Sequence, residues 1–197
     1  MKKILLAVCF ALSATAAQAA IVSNNGYLSL NDTGTVTFAG DNNDVVLGAT
    51  GGYLGQLSAT QDTILEVTYL GKEAANQNFY VQSSTNVFDT DASSIGNKQT
   101  FDISAGLIDF GFTGTAGLTA NNASGLNLGH IAYIVNAADY GIAGYDFIIG
   151  FNDAGSPDGD FDDIVVGVNA VPVPAALPLM ASALGMFGVA RRRKTLA

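Results

Sequence analysis

The stretch YDFIIGFN, residues 145–152, places Tyr145, Phe147, Ile149 and Phe151 on one side of an extended chain and Asp146, Ile148, Gly150 and Asn152 on the other. Successive side chains of a strand point to opposite faces, so this period of two reads as a strand laid against a core. The same signal recurs outward from it, in short segments rich in β-branched and aromatic residues at 36–38, 64–70, 78–81, 101–103, 107–112, 131–135 and 164–168. Clusters such as AGDNND (39–44), GATGG (48–52) and TANNASG (119–125) separate them as turns. Only residues 71–77 and 137–140 offer room for a helical turn. With no crossover helices to support a parallel sheet, the expected fold is all-β, an antiparallel two-sheet sandwich. Jelly-roll and immunoglobulin-like topologies fit the pattern equally, and no internal repeat stands out.

Residues 20–170 are enough for one domain with a real core. Their charge is lopsided. Of the eight Lys and Arg in the 197-residue chain, Lys2 and Lys3 lie near the start and Arg191, Arg192, Arg193 and Lys194 at the end, leaving only Lys72 and Lys98 in the middle. All seventeen acidic residues fall between Asp32 and Asp163. Such a surface repels nucleic acid and anionic membranes and is suited to cations.

The densest acidic segment is FNDAGSPDGDFDDIVVGV, residues 151–168, in which Asp153, Asp158, Asp160, Asp162 and Asp163 stand in a glycine-containing loop between two apolar strands. Calcium takes six to eight oxygen ligands, and carboxylates at alternate positions of a tight turn converge on one point. Asp158, Asp160 and Asp162 have that spacing. They do not form an EF-hand: Asp163 stands where Gly is required, Asn169 where Glu is required, and a strand follows instead of a helix. A solvated acidic hairpin is the simpler alternative, but carboxylates packed this closely repel one another unless a cation or hydrogen bonds offset them. Calcium bound by these five aspartates is therefore the expectation.

Signs of catalysis are few. The single histidine, His130, opens an apolar strand with no G-x-S-x-G elbow to accompany it. One His and a single Cys do not build an ordinary zinc site. GATGGYLG, residues 48–55, lacks the Lys and the following helix of a phosphate loop, so its glycines read as turn residues. Two carboxylates would suffice for glycoside hydrolysis, yet Trp, the usual stacking partner of sugars, is absent.

The two ends are addresses. MKKILLAVCFALSATAAQA, residues 1–19, has a lysine start, an apolar run and small residues closing on Ala17 and Ala19, the pattern of a secretory signal peptide cleaved after Ala19. Cys9 lies inside the apolar run, and its setting argues against lipidation, so the exported chain carries no cysteine and no disulfide. At the other end, VPVPAALPLMASALGMFGVARRRKTLA combines an extended proline strip (171–174), an uncharged span (175–190) and a basic cluster (191–194). The span is near the lower limit of the roughly 17 to 25 apolar residues that cross a bilayer as a helix, and the basic cluster would hold its end in the cytoplasm.

This tail resembles the PEP-CTERM sorting signal of exosortase substrates, nearest to the variant whose motif reads V-P-L-P-A. Val171, Pro172, Pro174 and Ala175 match that motif, and Val173 departs from it. The acidic segment, through Asp158, Asp160, Phe161, Asp162, Asp163, Ile164 and Val165, is similar to a strand, acidic loop and strand found in exported bacterial surface domains. YLGKEA, residues 69–74, looks like a stretch that recurs in ectodomains bearing such tails. The resemblance implies export through the secretory translocon, removal of the leader by signal peptidase, and transient retention in the inner membrane by the C-terminal helix. It also implies cleavage by an exosortase within 171–174. The mature protein would then reside at the surface or in the exopolysaccharide matrix, or biofilm, of a Gram-negative bacterium. The expected role is non-catalytic and calcium-stabilised, with a calcium-dependent carbohydrate-binding module and a polysaccharide hydrolase as the alternatives.

Overall fold

The computed structural model describes residues 20–23, 25–38, 45, 50–73, 75–135, 142–153 and 159–172. They form thirteen strands in two antiparallel sheets. The larger sheet runs β1 (Ile21–Val22), β2 (Leu28–Thr37), β3 (Gly51–Ala59), β11 (Ile131–Ile134), β12 (Phe147–Phe151), β13 (Ile164–Val171), β4 (Thr63–Gly71) and β7 (Lys98–Ile103), with β8 (Gly106–Leu107) on β3. The smaller runs β10 (Thr119–Asn121), β9 (Phe110–Gly114), β5 (Asn78–Gln82) and β6 (Thr85–Asp89). Among the described residues the only helical turn is the 3₁₀ segment Leu128–His130.

The alternation that announced β12 sets its place. Phe147, Ile149 and Phe151 enter the main core beside Ile164, Val166 and Val168 of β13, Leu65 and Val67 of β4, and Ile131 and Tyr133 of β11. The smaller sheet closes the core from the other side with Tyr80, Phe88, Phe110 and Phe112, giving a sandwich-like arrangement. Phe112 lies flat on Phe151, ring centroids 5.1 Å apart and planes 7° from parallel, and Tyr69 of β4 meets Phe88 of β6 at 6.0 Å. Burying each such ring stabilises the fold by about 1.5–3 kcal/mol.

Two phenols and an amide carry the polar accounting of this interior. Tyr80 donates to Gln82 Oε1 at 2.6 Å and Tyr133 to Asn122 Oδ1 at 3.0 Å, and burial pushes both phenols above their ordinary range. Asn122 also accepts from Leu57 N and donates to the Leu57 and Ile108 carbonyls. A wholly buried amide is tolerated because its donors and acceptor are all engaged.

The outer face of the larger sheet is also covered. Ile134, Ile148 and Val165 form a second apolar cluster, packed against Phe38, Val45, Leu70, Ile142 and Tyr145. Here the structure corrects the alternation: Tyr145 does not join Phe147 inside but folds over Gly167, whose missing Cβ would lie 2.5 Å from the ring. The strand begins only at Phe147. Just before it, Asp146 N donates to Val168 O and Asn169 Oδ1, while the Asp146 carboxylate accepts from Ala170 N at 2.8 Å.

Three other expectations change. The glycines of 51–55 are not turn residues but lie in β3, where a Cβ on Gly52 would sit 2.7 Å from the Tyr133 carbonyl oxygen; they permit close approach of neighbouring backbones. Residues 107–112 are not one strand. Leu107 ends β8 in the larger sheet, buried Ile108 crosses over, and Phe110 begins β9 in the smaller. The described part of 71–77 holds no helical turn, and 137–140 lie outside the described residues.

Gly167→Ala should cost about 1–3 kcal/mol through overpacking, read from urea denaturation midpoints. Combined with Tyr145→Ala, it should cost less than the sum of the two single changes, because the ring that the methyl meets is gone.

Candidate functional site

The connection between β12 and β13 is built by two opposed demands. Ile164 must enter the core, while the residues just before it are acidic. Phe161 resolves this with a left-handed backbone, φ 60°. For a bulky residue that conformation persists only when its surroundings fix it. Its ring is buried and meets Phe38 at a centroid distance of 5.6 Å. Its carbonyl packs where a Cβ on Gly150 would have to sit. Asp160 and Asp162, on either side of Phe161, are brought toward the same third carboxylate.

That third group is Glu73, in the chain leaving β4. One carboxylate oxygen from each of Glu73, Asp160 and Asp162 lies within 4.8 Å of the others. The backbone locks the arrangement: Glu73 N donates to Asp162 O at 2.9 Å. From the connection between β2 and β3, Val45 N donates to Asp162 Oδ2 at 3.1 Å, and the Val45 side chain packs over Gly71. Asp162 is 5% exposed, and its second oxygen, Oδ1, is buried and receives no N–H or hydroxyl donor. Burial raises the Asp162 pKa to about 7. The Val45 N–H opposes this, while the Asp160 charge, a side-chain hydrogen bond to Glu73 and the Glu73 charge add to it.

The expected five-aspartate site is thus divided. Asp160 and Asp162 converge, and Asp158 lies outside the described residues. Asp153 and Asp163 belong to a separate buried network, in which Asp153 N donates to Asp163 Oδ2 at 2.5 Å and Asn78 Nδ2 donates to Asp153 Oδ2 at 2.7 Å. This network pins the neck of the β12–β13 hairpin to β5 of the opposite sheet. Glu73 was not among the residues chosen from sequence. Its only signal was the stretch YLGKEA, because a single Glu far from the loop has no spacing to read.

The lysines stand apart from the cluster. Lys72, beside Glu73, pairs instead with Asp91 at 2.6 Å, and Lys98 pairs with Glu66 at 2.7 Å. His130 Nδ1 lies 3.0 Å from the Asn152 carbonyl, and Asn152 N donates back to the His130 carbonyl, which ties the ring to main chain rather than to a hydroxyl or carboxylate.

Of the expected sorting strip, Val171 is the last residue of β13. It pairs with Ile64, and its carbonyl accepts from Thr63 Oγ1 at 3.0 Å. Pro172 follows, exposed. Val173, Pro174, the span 175–190, the basic cluster Arg191, Arg192, Arg193 and Lys194, and the leader with Ala17 and Ala19 lie outside the described residues. Among the described residues no helix is long and apolar enough to cross a membrane. No protein family, curated protein or solved structure matches the chain.

The raised Asp162 pKa has a signed consequence. The folded state holds this proton more tightly than the unfolded chain, so the contribution to stability is full below about 3.8 and lost as pH rises through about 7. In chelator, the melting temperature should fall by several degrees across that window. Asp162→Asn should flatten the fall, measured by thermal denaturation at a series of pH values.

Proposed function

We infer that this chain is an exported, non-catalytic module of the bacterial cell surface or extracellular matrix, delivered as a β-sandwich by two detachable ends. The observation that carries this reading is the order of residues at the two ends: a lysine start, apolar run and small-residue close at 1–19, and a proline strip, uncharged span and basic cluster at 171–194. Among the described residues the strands between them run from Ile21 to Val171. The strip's resemblance to an exosortase signal supplies the sorting step: the C-terminal span holds the protein in the inner membrane, and an exosortase cuts the strip and frees the domain.

The register of β13 limits where that cut can fall. Val171 is held in the sheet by its pairing with Ile64 and by Thr63, so a membrane enzyme working on the folded domain would have to cut beyond it. Intact mass analysis of the protein from its native host should therefore show a mature start at Ala20 and a C-terminus at Pro172 or shortly after it. A full chain of 197 residues recovered from the cytosol would refute the reading.

One feature favours a second reading, a carbohydrate-binding module. The outer side of the smaller sheet carries a shallow groove over Gly111, edged by Ser83, Ser84, Asp109, Thr113, Thr119 and Asn121. Hydroxyl, amide and carboxylate groups are the partners that sugar hydroxyls take. Retention on the host's own exopolysaccharide that is lost in Asn121→Ala would favour this role; equal retention of wild type and variant would reject it.

A further inference from the structure

We propose that Glu73, Asp160 and Asp162 form a site for one calcium ion, and that the bound ion ties the chain leaving β4 to the turn that leads into β13. The site is not the aspartate loop alone, because one ligand comes from a segment nearly ninety residues earlier.

Three observations carry the assignment. The first is convergence. A cation that holds oxygens at about 2.3–2.6 Å spans roughly 5 Å from ligand to ligand, and the three carboxylates lie within that reach of one another. The second is the state of Asp162, 5% exposed, whose Oδ1 receives no N–H or hydroxyl donor and whose one side-chain hydrogen bond is to the Glu73 carboxyl, a bond lost once both groups are ionised. A buried anionic oxygen left in this way is costly. A cation meeting it beside two other carboxylates would remove that cost. The third is the placement of the two lysines among the described residues. Lys72 is adjacent in sequence to Glu73, yet its ammonium is held by Asp91, and Lys98 is held by Glu66.

The donor set selects the ion. Three carboxylates with neither imidazole nor thiolate among them favour a hard cation over zinc or copper. Magnesium keeps most of its water and is usually held by one or two carboxylates, whereas calcium accepts an irregular cage of protein oxygens. Water and nearby carbonyls would complete the six to eight ligands that calcium takes. Through Val45 N and Glu73 N, both bonded to Asp162, the ion would also steady the connections following β2 and β4.

The test uses the full chain stripped with chelator and titrated with calcium chloride, followed by calorimetry and thermal melting. Saturable binding with Kd on the order of 10⁻⁵ to 10⁻³ M and a melting temperature that climbs by several degrees are expected. Glu73→Gln should abolish both while leaving the circular dichroism of the cation-free protein unchanged. Asp162→Asn should abolish binding yet raise the melting temperature of the cation-free protein, which separates a lost ligand from a lost fold. Asp153→Asn should lower stability but keep the calcium response, and Asp102→Asn on the edge strand β7 should change neither. No saturable binding by the wild-type chain would overturn the proposal. So would undiminished binding by Glu73→Gln, or an equal response to magnesium.

Discussion

Between residues 20 and 170 two lysines stand against seventeen acidic residues, and the buried carboxylates Asp153 and Asp163 are met by neutral N–H donors. Both lysines sit at the surface in ion pairs, of the kind that contribute about 0–1 kcal/mol. The interior works differently. Asp153 accepts from Asn78 Nδ2 and Asp163 from Asp153 N, and half-buried Asp146 accepts from Ala170 N and Asn25 Nδ2. Two of these bonds, Asn78 to Asp153 and Asn25 to Asp146, join segments distant in sequence, and the other two close the β12–β13 hairpin on itself. Asp162 is the place where this provision falls short: one N–H for two oxygens, and two more carboxylates alongside.

The position of that shortfall follows from packing. The outer face of the larger sheet is apolar at Ile134, Ile148 and Val165 and needs a cover. Phe161 supplies part of it, laid against Phe38 and over Gly150. To put its ring there the chain must take a left-handed turn between two aspartates, and that turn draws both toward Glu73. The acidic cluster and the apolar cover are thus two results of one backbone conformation. A Cβ at residue 150 would disturb both.

Strand type was legible wherever β-branched and aromatic residues cluster, as in β12, β13 and β4. It was illegible where polarity and glycine mask a strand. β2 runs through LSLNDTGTVT because half of its side chains face solvent, and β3 opens with two glycines because neighbouring carbonyls leave no room for a side chain. The break between Leu107 and Phe110 was hidden because a strand that changes sheets keeps an apolar composition on both sides of the change. For the site, charge density drew attention to the right loop, and spacing identified Asp160 and Asp162. Asp153 and Asp163 have the same residue type and nearly the same spacing, and only the fold shows them bound to amides. Glu73 is a contact across the fold, and no local pattern encodes it.

β13 connects the two ends of the molecule. Its first residue, Ile164, follows directly on the acidic turn, and its last, Val171, carries the chain into the proline strip. Eight residues at about 3.3 Å each put roughly 25 Å between them. Near Val171 the start of the domain is also held, since Asn25 Nδ2 donates to Ala170 O at 3.0 Å. Both exits from the domain therefore lie at one end of the strand and the carboxylate cluster at the other. A domain held at a membrane by its C-terminal span would present Glu73, Asp160 and Asp162 on the side facing away from the bilayer. In that orientation the proposed calcium site would face the outside medium, and its filling would steady the connections following β2 and β4 at that end of the strand.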